Sequence, residues 1–122
     1  MADPTATPPD MAAYGVDAST WVPLEWTWAR ERLEAARNYW LTTASADGRP
    51  HSMPVWGVWD DGTKRFAFSC APTARKARNL GENPLAVITT ESTVEALSME
   101  GSASLIDPGA VSYTHLTLPT KA

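Results

Sequence analysis

The dipeptide Asp47-Gly48 sits between two stretches rich in β-formers, and it constrains this chain more than any other feature. Asp-Gly favours a tight reversal with φ > 0, so a strand before it and a strand after it must run antiparallel. The first stretch is Tyr39–Ser45 and the second is His51–Trp59. A further turn signal, Asp60-Asp61-Gly62-Thr63, leads into a third strand over Arg65–Cys70. Three successive strands joined by short turns make a meander. A fourth strand is predicted over Pro84–Thr90 and a fifth over Glu95–Ile106, with Gly101 at a bulge. Pro54 removes a donor from the second strand, which then needs an edge, a bulge or a ligand at that point.

Two helices complete the pattern. Trp26, Ala29, Leu33, Ala36 and Trp40 recur at steps of 3 and 4, predicting an amphipathic helix over about 24–38, with Pro23 in its first turn. The tryptophans at this spacing read as core. The charged residues between them read as a solvated face. Pro72–Gly81 reads as a short helix, capped by Thr73 and ended by Gly81. Five strands and two helices predict a mainly β fold, closed into a small antiparallel barrel because an open sheet of this size leaves bare edges.

Composition narrows the function. Lys+Arg total 10 against 14 Asp+Glu, a formal charge of −4, which disfavours nucleic acid as a partner. No apolar run reaches the roughly 20 residues of a membrane helix, and Met1–Asp10 lacks a secretory pattern, so a cytoplasmic setting is expected. The single cysteine, Cys70, rules out an internal disulfide framework and a multi-cysteine zinc site, and reads as a buried thiol. The Pro-rich start marks residues 1–19 as a disordered leader, with the domain over 20–110. The tail is of another kind. Back-translation of Val111–Thr120 resembles the transposase adapter used in sequencing-library preparation, so 111–122 is expected to be an artefact outside the fold.

Ser69, Thr73, Arg75, Lys76 and Arg78 form the densest candidate site. A strand end and a helix start lie within a few residues, and a helix N-terminus with added cations suits a phosphate. An ordinary solvated helix start accounts for the same residues equally well. The second candidate is the strand carrying Met53, Pro54, Val55 and Trp56, which could lie flat against a planar ring or simply pack into the barrel. His51 has no partner at triad or ligand spacing and reads as non-catalytic. No nucleophile elbow, phosphate-binding glycine loop or zinc motif is present, and no carboxylate pair stands out. A chain with so few acids and nucleophiles makes chemical sense when a cofactor supplies the reactivity.

The run Asp47-Gly48-Arg49-Pro50-His51, then Pro54-Val55-Trp56-Gly57-Val58-Trp59, then Arg75-Lys76-Ala77-Arg78-Asn79-Leu80 resembles the pyridoxamine 5′-phosphate oxidase-like split-barrel flavoproteins. The closest likeness is to the branch that uses the deazaflavin coenzyme F420. It extends over about 20–106 and implies an FMN-binding split barrel, incomplete at its C-terminus. By that likeness Arg75 and Lys76 hold the cofactor phosphate, with Thr73 beside them. Ser69 bonds the cofactor, and Met53, Pro54, Val55 and Trp56 line the ring of FMN or F420. The resemblance further implies hydride transfer to or from a small organic substrate, and a homodimer with the cofactor at its interface. Two departures stand out: Met53 and Val58 occupy positions where pyridoxamine phosphate oxidases carry an Arg and a Lys. A non-enzymatic flavin or deazaflavin carrier or sensor, and a truncated fragment without function, are the rival expectations.

Overall fold

In a computed structural model, residues 3–4, 12–15, 19 and 24–105 are described, together with the backbone of 112–117. Helix α1 (Trp26–Ala35) precedes strands β1 (Asn38–Ala44), β2 (Pro50–Asp60) and β3 (Arg65–Ser69). Helix α2 (Arg75–Glu82), β4 (Leu85–Thr89), β5 (Ser98–Leu105) and β6 (Ser112–Thr117) follow. The strands close into an antiparallel barrel in the order β1-β2-β3-β6-β5-β4. The mainly β split-barrel expectation therefore holds.

Alternation of side chains builds the core. Tyr39, Leu41 and Thr43 of β1 point inward, joined by Val55 and Trp59 of β2 and Phe66 and Phe68 of β3. Ala86, Ile88, Met99 and Ala103 fill the far side. The Tyr39 ring meets Phe66 edge-on at 4.6 Å between centroids, a favoured aromatic geometry. Phe66 lies over Gly57, where a Cβ would sit 2.1 Å from its ring, so only glycine fits there.

Helix α1 is pinned at both ends. The Tyr39 hydroxyl, on the first inward residue of β1, shares its proton between the carbonyls of Leu33 and Ala36, which the helix end leaves without partners. At the other end Asp61 accepts from the indole N–H of Trp26 at 2.9 Å and of Trp59 at 3.3 Å. Lys64 closes this cluster, 3.2 Å from Asp61, from a left-handed backbone position with φ 56°. Burial alone would raise the Asp61 carboxyl, yet the bonds from Trp26, Trp59 and Lys64 hold it below its ordinary value.

The hairpin at Asp47-Gly48 forms as expected, with Gly48 at φ 86° and its amide bonded to Ser45 O at 2.9 Å. Several expectations change. Helix α1 is shorter than 24–38, because Ala36 turns to extended backbone, and Trp40 falls on β1 with its side chain outward. Gly101 pairs in register with Ala86; the irregularity lies at Ser104/Leu105 instead. Helix α2 starts later than Pro72 and runs through Gly81 to Glu82. Its N-cap is Ala74, and no side chain caps it, so Thr73 does not serve that role. The sequence reading places five strands in the fold and leaves 111–122 outside. The structure adds β6 from that segment, pairing with β3 through Phe68 and Ser69 and with β5 through Ser102–Leu105. Most of the expected leader, and Pro23, lie outside the described residues. Of the leader, Ala12–Tyr14 form a 3-10 turn, and Asp3 pairs with Lys64 at 3.3 Å.

Candidate functional site

The barrel opens beside Pro54. β2 pairs with β1 from Pro50 to Trp56, but its ladder to β3 starts only at Gly57. Gly57 donates to Arg37 O at 3.3 Å, so odd-numbered residues of β2 turn their N–H groups toward β1. The donor that Pro54 lacks would face the other side, where β3 has already ended at Ser69. The proline thus sits on a local edge inside a closed barrel, one of the three placements its residue type allows.

Beyond Ser69 the chain passes through Cys70–Ala74 and enters α2. The helix is seated by a buried bond: Asn79 Nδ2 donates to Thr43 Oγ1 at 3.0 Å. Thr43 pairs with His51 across β1 and β2, so this one bond fixes α2 above the start of β2. Arg75 and Lys76 lie on the first turn of α2, close enough to His51 for both charges to act on its ring. Burial first, then Arg75 and Lys76, lower the His51 pKa below 6.5 and favour the neutral imidazole. Burial raises the Cys70 thiol, and Lys76 only partly offsets it, so Cys70 stays a thiol rather than a nucleophilic thiolate. The uncapped start of α2 adds its own positive end to these cations.

The expected site residues separate into groups. Arg75 and Lys76 share the first turn of α2, and both charges reach His51 on β2. Ser69 is exposed at the end of β3, Thr73 on the connection into α2, and Arg78 on the helix. Met53 is 45% exposed even though it shares the inward side of β2, because no strand covers it on the β3 side. Val55 is a core residue at 7% exposure, so only its backbone can face a ligand. Trp56 points outward and is 84% exposed. Sequence reasoning set His51 aside, since its partners are two cations on a distant helix rather than a spaced ligand set. The register of β1 on β2 is the signal that places it.

Sequence reasoning also did not mark a groove of about 590 Å³ on the outer face of β1, β4 and β5. Thr42, Ala44, Leu85, Val87, Glu100 and Ser102 line its walls, and Glu100 is their one titratable side chain. Among the described residues no cluster of three or more His, Cys, Asp or Glu could hold a metal ion. No described helix is long and apolar enough to cross a membrane.

The sequence profile of pyridoxamine 5′-phosphate oxidase matches residues 28–117, from α1 through β6. The chain belongs to the pyridoxamine 5′-phosphate oxidase family. Solved structures share its fold. The heme storage protein HutZ from Vibrio cholerae is 19% identical, with 75% of this chain and 87% of that one covered and a TM-score of 0.62. An F420 reductase is 18% identical, covering 74% and 92%, with a TM-score of 0.60. General stress protein 26 from Bacillus anthracis is 15% identical, covering 75% and 87%, with a TM-score of 0.62. No curated protein sequence matches the chain.

Proposed function

We propose that this family member is an oxidoreductase that binds FMN or F420 and moves hydride to or from a small organic substrate. The observation that carries the reading is that Arg75 and Lys76 lie on the first turn of α2, which no side chain caps, and that both charges act on His51 near the start of β2. Two cations and a helix N-terminus suit a phosphate, and a strand edge beside Pro54 suits the rim of a planar ring. The bound cofactor supplies the hydride chemistry. The chain positions it: Arg75 and Lys76 hold the phosphate, Ser69 at the end of β3 and Thr73 on the connection offer hydroxyls, and Met53 and the backbone of Pro54–Trp56 bound the ring. With Met53 and Val58 in place of basic residues, β2 gives the phosphate no second cation, so the charges that anchor it come from α2.

A homodimer belongs to the same proposal. Trp56, Val58, Trp40 and Leu85 share the outer face of three contiguous strands, β2, β1 and β4. An apolar face of that kind on a small barrel favours a partner copy, which would cover the ring from the open side. The fold also serves heme storage in HutZ, so cofactor identity needs a direct test. Absorption spectra of the purified chain after incubation with FMN and with F420 provide it, followed by a search for reduction or reoxidation by candidate substrates. A retained chromophore that turns over supports the oxidoreductase. A retained chromophore that never changes redox state supports a carrier or sensor.

A further inference from the structure

His51 is the group at the opening to which the proposed function gives no task. Its Nδ1 is buried and has no hydrogen-bond partner, an uncommon state for a buried ring nitrogen. The residue as a whole is half-buried and Nδ1 is its buried ring nitrogen, which leaves Nε2 as the nitrogen a ligand can reach. Directly opposite on β1 stands Thr43, whose hydroxyl already accepts from Asn79. Arg75 and Lys76 lie one helical turn before Asn79, so the Asn79–Thr43 bond brings that side of α2 toward His51, and these two are the charged groups acting on its ring.

We propose that His51 is a third ligand of the anion at Arg75 and Lys76, donating a hydrogen bond from Nε2–H while Nδ1 stays bare. The inference rests on the reading of that corner as a phosphate site. The tautomer follows from the burial pattern. A hydrogen on Nδ1 would have no acceptor, and an orphaned buried donor is tolerated less well than an orphaned lone pair. The neutral ring therefore carries its hydrogen on Nε2, at the accessible edge. Protonating the ring would place a hydrogen on buried Nδ1 and a third positive charge beside two others. A neutral donor avoids both penalties and still bonds a phosphate oxygen.

The test uses the uniformly 15N-labelled full chain, read at the His51 ring and at the backbone amides of Arg75 and Lys76, the His51 ring signals being assigned by their loss in His51→Gln. Inorganic phosphate is titrated in, and binding of FMN is compared with that of riboflavin, which lacks the phosphate. The expected pattern is an Nε2–H tautomer whose Nε2 signal shifts with phosphate, and loses that response in Lys76→Ala. His51→Asn should weaken FMN by about tenfold and leave riboflavin unchanged, since its amide mimics the Nδ1 position. His51→Gln, whose amide reaches the Nε2 position, should stay within roughly threefold of the parent. An Nδ1–H tautomer overturns the proposal. So does a phosphate shift at Arg75 and Lys76 with none at His51, or equal FMN affinity in the Gln and Asn variants. If phosphate moves none of the three residues, the anion site itself falls and His51 with it.

Discussion

Gly57 shows how tightly a single residue is fixed. A methyl group there would lie 2.1 Å from Cζ and 2.4 Å from Cε1 of Phe66, and Phe66 is itself fully buried against Tyr39 and Phe68. The ring has no free direction in which to retreat. Gly57→Ala should destabilise the fold by about 1–3 kcal/mol, the usual cost of overpacking, read as a lower urea midpoint at an unchanged slope. His51 sets a second expectation at this scale. Its folded pKa is lowered by burial and by Arg75 and Lys76, so the unfolded chain binds the proton more readily. Stability from this residue is full above its ordinary value of 6.5 and declines as pH falls below it. Urea midpoints measured from pH 7.5 down to 5 should drop in the parent, and the drop should flatten in His51→Gln. An equal slope in both would remove His51 from the account.

At the scale of elements, α2 is the piece that makes a site out of a barrel. Its seat is the buried bond from Asn79 to Thr43, together with the burial of Ala77 and Leu80. Asn79→Ala would strand the Thr43 hydroxyl in the core, a loss of about 1–3 kcal/mol. It should also loosen the placement of Arg75 and Lys76, so phosphate binding should weaken more than it does in a surface control such as Arg78→Ala. The sequence shows much of this level directly. Asp47-Gly48 announces the first hairpin, and the turn at Asp61–Lys64 follows from its Asp-Gly composition. Other features were not legible because they depend on register. Trp40 continues the helical spacing of α1, yet the extended backbone at Ala36 moves it to the outside of β1. Val55 looks like a ring-facing residue until pairing with Tyr39 shows it pointing into the core. Pro54 left an edge, a bulge or a ligand open, and only the late start of the β3 ladder at Gly57 shows how a central strand comes to have a local edge.

For the whole molecule, closure and apolar surface decide behaviour. The barrel closes through β6, which lies between β3 and β5. The local pattern of Val111–Thr120 did not lead to that strand, because its codon-level likeness to an adapter took it out of consideration. Outside the barrel, Trp56 at 84% and Val58 at 68% exposure sit on a face that a soluble monomer seldom leaves bare. Trp56→Glu would put a charge into the proposed dimer seam. The chain should then sediment as a monomer while keeping its circular dichroism spectrum, and a parent that sediments as a monomer would remove the dimer from the account.

The central claim is that the start of α2 anchors the phosphate of a redox cofactor, and calorimetric titration of the cofactor into the parent and into Lys76→Ala tests it most directly. Loss of one charge-assisted contact should weaken binding by about 1.5–3 kcal/mol, roughly 10- to 150-fold, with the fold retained. An unchanged dissociation constant would contradict the claim.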